Sequence, residues 1–280
     1  MSNKQMRCAI SMAAIMFAVV SMAQWRRPAP LEPAENYTLK VGRMTMVVDA
    51  ANGARIMSLR HDTTEVLSQK RMPNMYGSTF WTSPQKEWNW PPVREHDIMR
   101  YAVNEENDVL TMTSQLSEKI PLRIIKQFST DSKDNSIVIA YTIQNEGATD
   151  RKVAPWEITR VPPEGVVSFD APLDSIWPSG IMNFVKQKDC VSYTIDEATD
   201  HRKVNADGTG WISYTNKGVT LTKRFQDIKP TEPAPDEAEI QVYVYPGKVY
   251  VEIEEQGPYT LLRPGEKLTW TVRWYTTDAR

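Results

Sequence analysis

The chain has 280 residues, 33 Lys and Arg against 35 Asp and Glu, and a formal net charge of −2. So mild an acidity leaves no electrostatic footprint for nucleic acid or an anionic membrane surface, and neither is expected as a partner. Three histidines and two cysteines in the whole chain leave little material for a metal centre.

The N-terminus carries an export pattern. Lys4 and Arg7 precede an apolar run from Cys8 to Val20, and Ser21-Met22-Ala23 places small residues at the two positions a signal peptidase reads. No acidic residue occurs before Glu32. Residues 1–23 therefore read as a secretory signal peptide cleaved after Ala23, and a bacterial periplasmic or extracellular location is expected. The run is short for a membrane span, which needs about 20 residues. An uncleaved anchor is the alternative; after cleavage no integral membrane span is expected. Cleavage leaves 257 of the 280 residues, removes Cys8, and moves the formal charge to −4. Cys190 is then the only cysteine, so no intrachain disulfide is expected, and a hydrophobic core must stabilise the fold.

Residues 24–36 form a proline-rich lead-in, and 37–280 read as a single domain. Strand signals begin with 37–41 and 44–48 around Gly42, then 55–59 after the turn Asn52-Gly53. Next comes Gly77-Ser-Thr-Phe-Trp-Thr-Ser-Pro-Gln-Lys-Glu-Trp-Asn-Trp-Pro-Pro92. Trp81, Trp88 and Trp90 are interleaved there with Gln85, Asn89 and prolines, without the alternation of a strand, so a stiff loop is expected. Flat apolar rings beside amides suit a sugar, with its C–H faces and hydroxyls. They equally suit a cap on the end of a core.

Further strand signals cover 109–114, 122–128, 136–143, 210–214, 219–225, 240–245, 249–254 and 268–275. They are short, rich in β-branched and aromatic residues, and separated by turns such as Asn145-Glu-Gly147, Asn216-Lys-Gly218 and Arg263-Pro-Gly265. No apolar pattern of period 3.6 runs for three turns. The fold class is all-β, a large antiparallel sandwich or barrel. Lys229–Glu239 reads as a long surface loop.

Candidate chemistry is sparse. His61 and His96 read as solvated loop residues, and no His spacing suggests a metal cluster. No Gly-x-Ser-x-Gly elbow or phosphate-binding glycine loop occurs. Asp196, Glu197 and Asp227 lie in acidic loops without calcium-ligand spacing. No cofactor and no metal is expected. Carboxylates are more promising. In 249–254, a period of two puts Tyr250, Glu252 and Glu254 on one face. Two such carboxylates, if buried, hold a proton on one of them at neutral pH; if not, they form a solvated outer face. In 154–160, Trp156, Ile158 and Arg160 lie opposite Glu157 and Thr159, either beside a polyhydroxylated ring or in an ordinary surface ion pair.

Three of these segments together resemble a bacterial domain family of unknown function in the galactose mutarotase-like superfamily. They are Gly77 to Pro92, Pro155-Trp-Glu-Ile-Thr-Arg160, and Val251-Glu-Ile-Glu254 with Leu262-Arg-Pro-Gly265 and Trp270-Thr-Val-Arg-Trp274. The resemblance extends from about Tyr37 to Tyr275. It implies a large, twisted antiparallel β-supersandwich with a sugar site on a concave sheet face. Aldose epimerases of that superfamily open the sugar ring with a glutamate base and a histidine acid. Ile253-Glu254-Glu255-Gln256 is the nearest match to the glutamate segment. The segment matching the histidine, 155–160, has none, and Arg160 is a poor acid.

Three functions follow as expectations. The first is an exported carbohydrate-binding protein for a mono- or oligosaccharide. Trp81, Trp88, Trp90 and Trp156 would stack on it, Gln85, Arg160 and Glu254 would exchange hydrogen bonds, and Lys223 would project into the same cleft. The second is a carbohydrate-active enzyme, an aldose epimerase or a relative, using Glu254 as base with Glu157 or Glu252. The third is an interaction or scaffold protein of the cell envelope.

Overall fold

The computed structural model describes residues 36–69, 72 and 75–279. The segment expected to be a signal peptide, residues 1–23, and residues 24–35 of the lead-in lie outside the described residues. Within them the chain forms β1 (Asn36–Val41), β2 (Met44–Asp49), β3 (Arg55–His61), β4 (Thr64–Glu65) and β5 (Ser78–Ser83). A short helix, α1 (Arg94–Asp97), precedes β6 (Ala102–Glu106), β7 (Val109–Thr113), β8 (Leu122–Asp131) and β9 (Ser136–Asn145). Then come β10 (Arg151–Val161), β11 (Val166–Phe169), β12 (Phe184–Lys186), β13 (Val191–Thr194) and β14 (Arg202–Ala206). The last six are β15 (Trp211–Asn216), β16 (Val219–Arg224), β17 (Ile240–Val244), β18 (Val251–Gln256), β19 (Thr260–Leu262) and β20 (Lys267–Asp278).

These strands make two ten-stranded antiparallel sheets, as the all-β reading requires. The first runs β1-β2-β3-β5-β10-β18-β17-β14, with β4 paired to β3 and β19 to β10. The second runs β12-β13-β11-β15-β16-β20-β9-β8-β7-β6. Their facing sides form the core. Phe80 of the first sheet stacks on Tyr141 of the second with centroids 4.3 Å apart and planes 8° off parallel. Met46, Val48, Val242 and Ile253 meet Ile124, Phe128, Ile139 and Val272 in the same buried cluster. Each such side chain contributes about 1.5–3 kcal/mol on burial.

Several segments depart from the sequence reading. The first half of the tryptophan stretch is a strand, β5, because both its faces are covered and no alternation is left to see. Pro84 ends it, and Gln85–Glu87 turn in a single 3-10 helix. Gly77, which leads into β5, has φ +61, and a Cβ there would stand 2.2 Å from the Ile56 carbonyl oxygen. Only glycine fits so close an approach.

In the charged run 94–97, Arg94 is exposed but His96 is not solvated. His96 and Asp97 are buried, because α1 lies against the Gly53 turn, where a Cβ would meet the Asp97 carbonyl oxygen at 2.0 Å. His96 Nε2 donates to the Leu122 carbonyl at 3.0 Å, and burial pushes its imidazole down to about 4. His61, at the end of β3, is also buried and bonds Thr276 at 2.8 Å. Within 229–239, Ala234, Ala238 and Glu239 are buried rather than on the surface. Glu239 accepts from the Gly208 and Gly210 amides at 3.1 and 2.9 Å.

Candidate functional site

The candidate site lies on the side of the first sheet turned away from the core. Register determines which residues share that side. Trp81 pairs with Trp156 across β5 and β10. Trp156, Ile158 and Arg160 pair with Gln256, Glu254 and Glu252 across β10 and β18. Glu254 and Glu252 pair in turn with Gln241 and Tyr243 of β17, and Tyr243 pairs with Lys203 of β14. In antiparallel sheets directly paired residues point to the same face, so five strands present one continuous row of aromatic and charged groups.

Part of that row lines a hollow of ≈ 380 Å³, within the size range of small-ligand sites. Trp81, Trp90, Trp156, Tyr243, Tyr245 and Tyr250 supply its aromatic walls, with Met72 and Met75. Gln85, Lys203, Glu252 and Glu254 supply its polar groups. Trp81 is the hub of the indoles: Trp88, Trp90 and Trp156 each meet it edge-on, at centroid distances of 5.7, 6.1 and 5.6 Å. Trp90 is 59% exposed, whereas Trp81 and Trp156 are 6% and 3% exposed.

The polar groups are held in fixed orientations. Glu254 Oε2 accepts from Trp156 Nε1 and from Lys203 Nζ, both at 2.9 Å. Lys203 also stands over the Trp156 ring, 4.8 Å from its centroid. Glu252 Oε1 lies 2.9 Å from Arg160 Nε, but the two are not aligned and neither atom completes a hydrogen bond. Burial pushes the Glu252 carboxyl up to about 7; Arg160 opposes this and neighbouring Glu254 adds to it. The hollow thus contains one carboxylate held by two donors and a second that takes up a proton near neutrality. Trp81 is aimed from behind, its Nε1 donating to Asp97 Oδ1 at 2.9 Å, with Arg55 3.3 Å from the same oxygen.

Of the residues singled out from sequence, Trp81, Gln85, Trp90, Trp156, Glu252 and Glu254 meet around this hollow. Arg160 lies beneath it, fully buried, bonded to Thr79 at 3.2 Å and with its guanidinium 5.5 and 5.8 Å from the Trp81 and Tyr250 rings. Trp88 is 1% exposed and donates to the Thr82 carbonyl at 2.8 Å, so it buttresses Trp81 without lining the hollow.

Glu157 and Lys223 do not line it either. As odd-face residues of their strands they point between the sheets. Lys223 Nζ sits 2.8 Å from Glu157 Oε2 and 2.7 Å from Thr159 Oγ1, and it also contacts Glu255. Tyr141 and Trp274 donate to Glu157 as well. Burial drives the Glu255 carboxyl well above the usual carboxylate range. For Glu157 burial acts the same way, but Lys223 and the hydrogen bonds around it prevail and leave it lowered. A raised Glu255 beside a lowered Glu157 lets the cluster around Lys223 compensate itself, which is how ionisable groups survive between two sheets.

Lys203, Tyr243, Tyr245 and Tyr250 complete the site but were not singled out as ligand residues from sequence. The alternation in Ile240-Gln-Val-Tyr-Val-Tyr245 contains the signal for Tyr243 and Tyr245, which share a face with Gln241. Lys203 gave none, since β14 itself has too few β-branched residues to read as a strand. His201 stands behind two of these rings, bonded to the Tyr243 hydroxyl, with the Tyr245 ring edge-on at 5.0 Å. No histidine lines the hollow among the described residues. Nor do the described residues bring three or more His, Cys, Asp or Glu side chains together for a metal ion.

No protein-family model matches the chain, and no curated protein does. Solved structures do. An aldose 1-epimerase candidate from Escherichia coli K12 superposes with a TM-score of 0.63 at 13% identity, covering 88% of this chain and 99% of that one. A galactose mutarotase-like protein from Lactobacillus casei gives 0.60 at 12% identity, covering 87% and 100%. A TPR-domain protein from Parabacteroides distasonis gives 0.62 at 16% identity, covering 88% of this chain and 48% of that one. At these identities the likeness defines architecture and not activity. The two-sheet sandwich of this protein has the galactose mutarotase-like fold.

Proposed function

We propose that this is an exported carbohydrate-binding protein whose ligand, a mono- or oligosaccharide, occupies the hollow framed by Trp81, Trp90, Trp156 and Tyr243. The observation that carries the reading is the composition of that hollow. Indole and phenol rings surround Glu254, Lys203 and Gln85, and apolar walls with a few oriented polar groups are what a sugar's C–H faces and hydroxyls require. The fold shared with galactose mutarotase-like structures supports the same ligand class. The concavity of the site favours a small molecule over the flatter face of a scaffold protein. Calorimetric titration of the purified mature protein with a monosaccharide panel tests it. Heats of binding in the millimolar range or tighter are expected, and their absence across the panel removes the proposal.

A second reading is favoured by one specific feature. Glu252 titrates near 7 beside Glu254, and an acid and a base of different proton affinity in one cleft can move protons at a sugar ring. In this reading the protein is an aldose epimerase or related enzyme with Glu254 as base. The acid then has to come from a group other than a hollow-lining histidine. NMR observation of anomer exchange in the same sugars separates an enzyme from a binding protein.

A further inference from the structure

Trp90 has a role that one hollow does not account for. Its indole is 59% exposed although it follows a run of buried aromatic residues. It is not loosely placed: the ring meets Trp81 edge-on at 80° and 6.1 Å, and Pro91 and Pro92 stiffen the chain behind it. On the far side of Trp90 lies a second hollow of ≈ 360 Å³, lined by Pro91, Pro92, Arg94, Asp97 and Ile98. Trp90 and Met75 are common to both hollows, so the indole forms the ridge between them. The second hollow sets the Trp90 ring and the apolar walls of Pro91, Pro92 and Ile98 beside the polar groups of Arg94 and Asp97. Arg94 makes no ion pair or side-chain hydrogen bond among the described residues, and its side chain is exposed.

We propose that the ligand is an oligosaccharide of at least two units, lying across Trp90 with one ring in each hollow. This rests on the sugar reading of the first hollow and adds a length requirement to it. An indole fixed on one edge and open around the rest offers apolar surface to two successive rings, and Arg94 is placed to donate to hydroxyls of the outer one. A monosaccharide in the first hollow leaves the second unused, so affinity rises from one unit to two and little after that.

Calorimetry with gluco- and galacto-configured saccharides of one, two and three units tests this on the mature chain. A disaccharide of at least one series is expected to bind ten times tighter than its monosaccharide or better. Ile98→Trp, which fills the second hollow, is expected to abolish that gain and leave monosaccharide affinity as it was. Trp90→Ala changes an exposed residue and preserves the fold by circular dichroism; it is expected to cost the disaccharide more than the monosaccharide. Equal affinity for one and two units, or a gain that survives both substitutions, overturns the two-hollow ligand and leaves the first hollow as a monosaccharide site. Absence of binding by any saccharide overturns both readings.

Discussion

Trp156 donates its indole Nε1–H to Glu254 Oε2 at 2.9 Å, so a ring that walls the hollow also aims the carboxylate inside it. The two residues are diagonal neighbours on β10 and β18, where Trp156 pairs with Gln256 and Ile158 with Glu254. Lys203 completes the arrangement by bonding the same oxygen and standing over the same ring. Binding surface and polar chemistry are therefore coupled in one rigid unit, with the sheet ladder as its support.

Glu254→Gln tests that unit. The amide retains an acceptor for Trp156 but loses the charge opposite Lys203. If the protein turns over sugars, anomer exchange measured by NMR is expected to fall by about 10²–10⁴-fold. Sugar affinity is expected to change by no more than about tenfold, the scale of one weakened hydrogen bond. Unchanged turnover in this variant rules Glu254 out as the base. Glu252→Gln is expected to remove any inflection near pH 7 from the pH profile of binding or rate, since burial places that carboxyl there.

Trp81 and Asp97 give a stability prediction. Trp81→Phe keeps a ring in the cluster but deletes the N–H that bonds Asp97 Oδ1. Asp97 is buried, so a lost donor is not replaced by water. The expected cost is about 1–3 kcal/mol in urea unfolding. Asp97→Asn is expected to cost more, because Arg55, whose side chain is fully buried, loses the charge beside it. A neutral Trp81→Phe means that Asp97 does not orient the indole.

Lys223 separates a structural role from a binding one. Lys223→Met leaves Glu157 and Glu255 buried without their cation. Breaking such a group by removing one partner typically costs about 3–5 kcal/mol. Combining it with Glu157→Gln and Glu255→Gln is expected to recover part of the loss, because no net charge is then stranded. Sugar affinity of the folded protein is expected to stay as in the parent. A selective loss of affinity in a stable Lys223→Met protein would place this residue at the ligand after all.

His96 supplies a pH dependence with a defined sign. Its imidazole is lowered from 6.5 to about 4 in the folded protein. Between those values the unfolded chain binds the extra proton, so stability is present above about pH 6.5 and is lost as pH falls towards 4. The full effect is about 3 kcal/mol. Glu239 and Glu252 are raised to about 7 and act in the opposite sense between about pH 7 and 4.5. The comparison therefore needs the difference between the parent and His96→Gln. Unfolding midpoints across pH 4–7 are expected to converge as pH falls, the parent losing its advantage. Parallel curves contradict a buried neutral His96.

Alternation made much of this molecule readable in advance. A period of two correctly grouped Glu252 with Glu254, and Trp156 with Arg160, because successive side chains of a strand must point to opposite faces. Closely spaced β-branched and aromatic runs gave the all-β class for the same reason. Alternation failed where both faces of a strand are covered, as in β5, and where a strand is short and polar, as in β14.

What local pattern says is which residues share a face; it does not say which face another sheet covers. Glu157 and Lys223 are charged and looked available to a ligand, yet they lie between the sheets. They are tolerable there because β10, β16 and β18, distant from one another in the chain, bring a cation and two carboxyls together. Glu252 and Glu254 carry the same chemistry on the open side, among rings drawn from β5, β10 and β17. The sequence determined the strands and the parity of their side chains. Only the stacking of two sheets decided which parity meets the core and which meets the hollow, because that choice depends on nonlocal charge pairing and burial, which no run of neighbouring residues records.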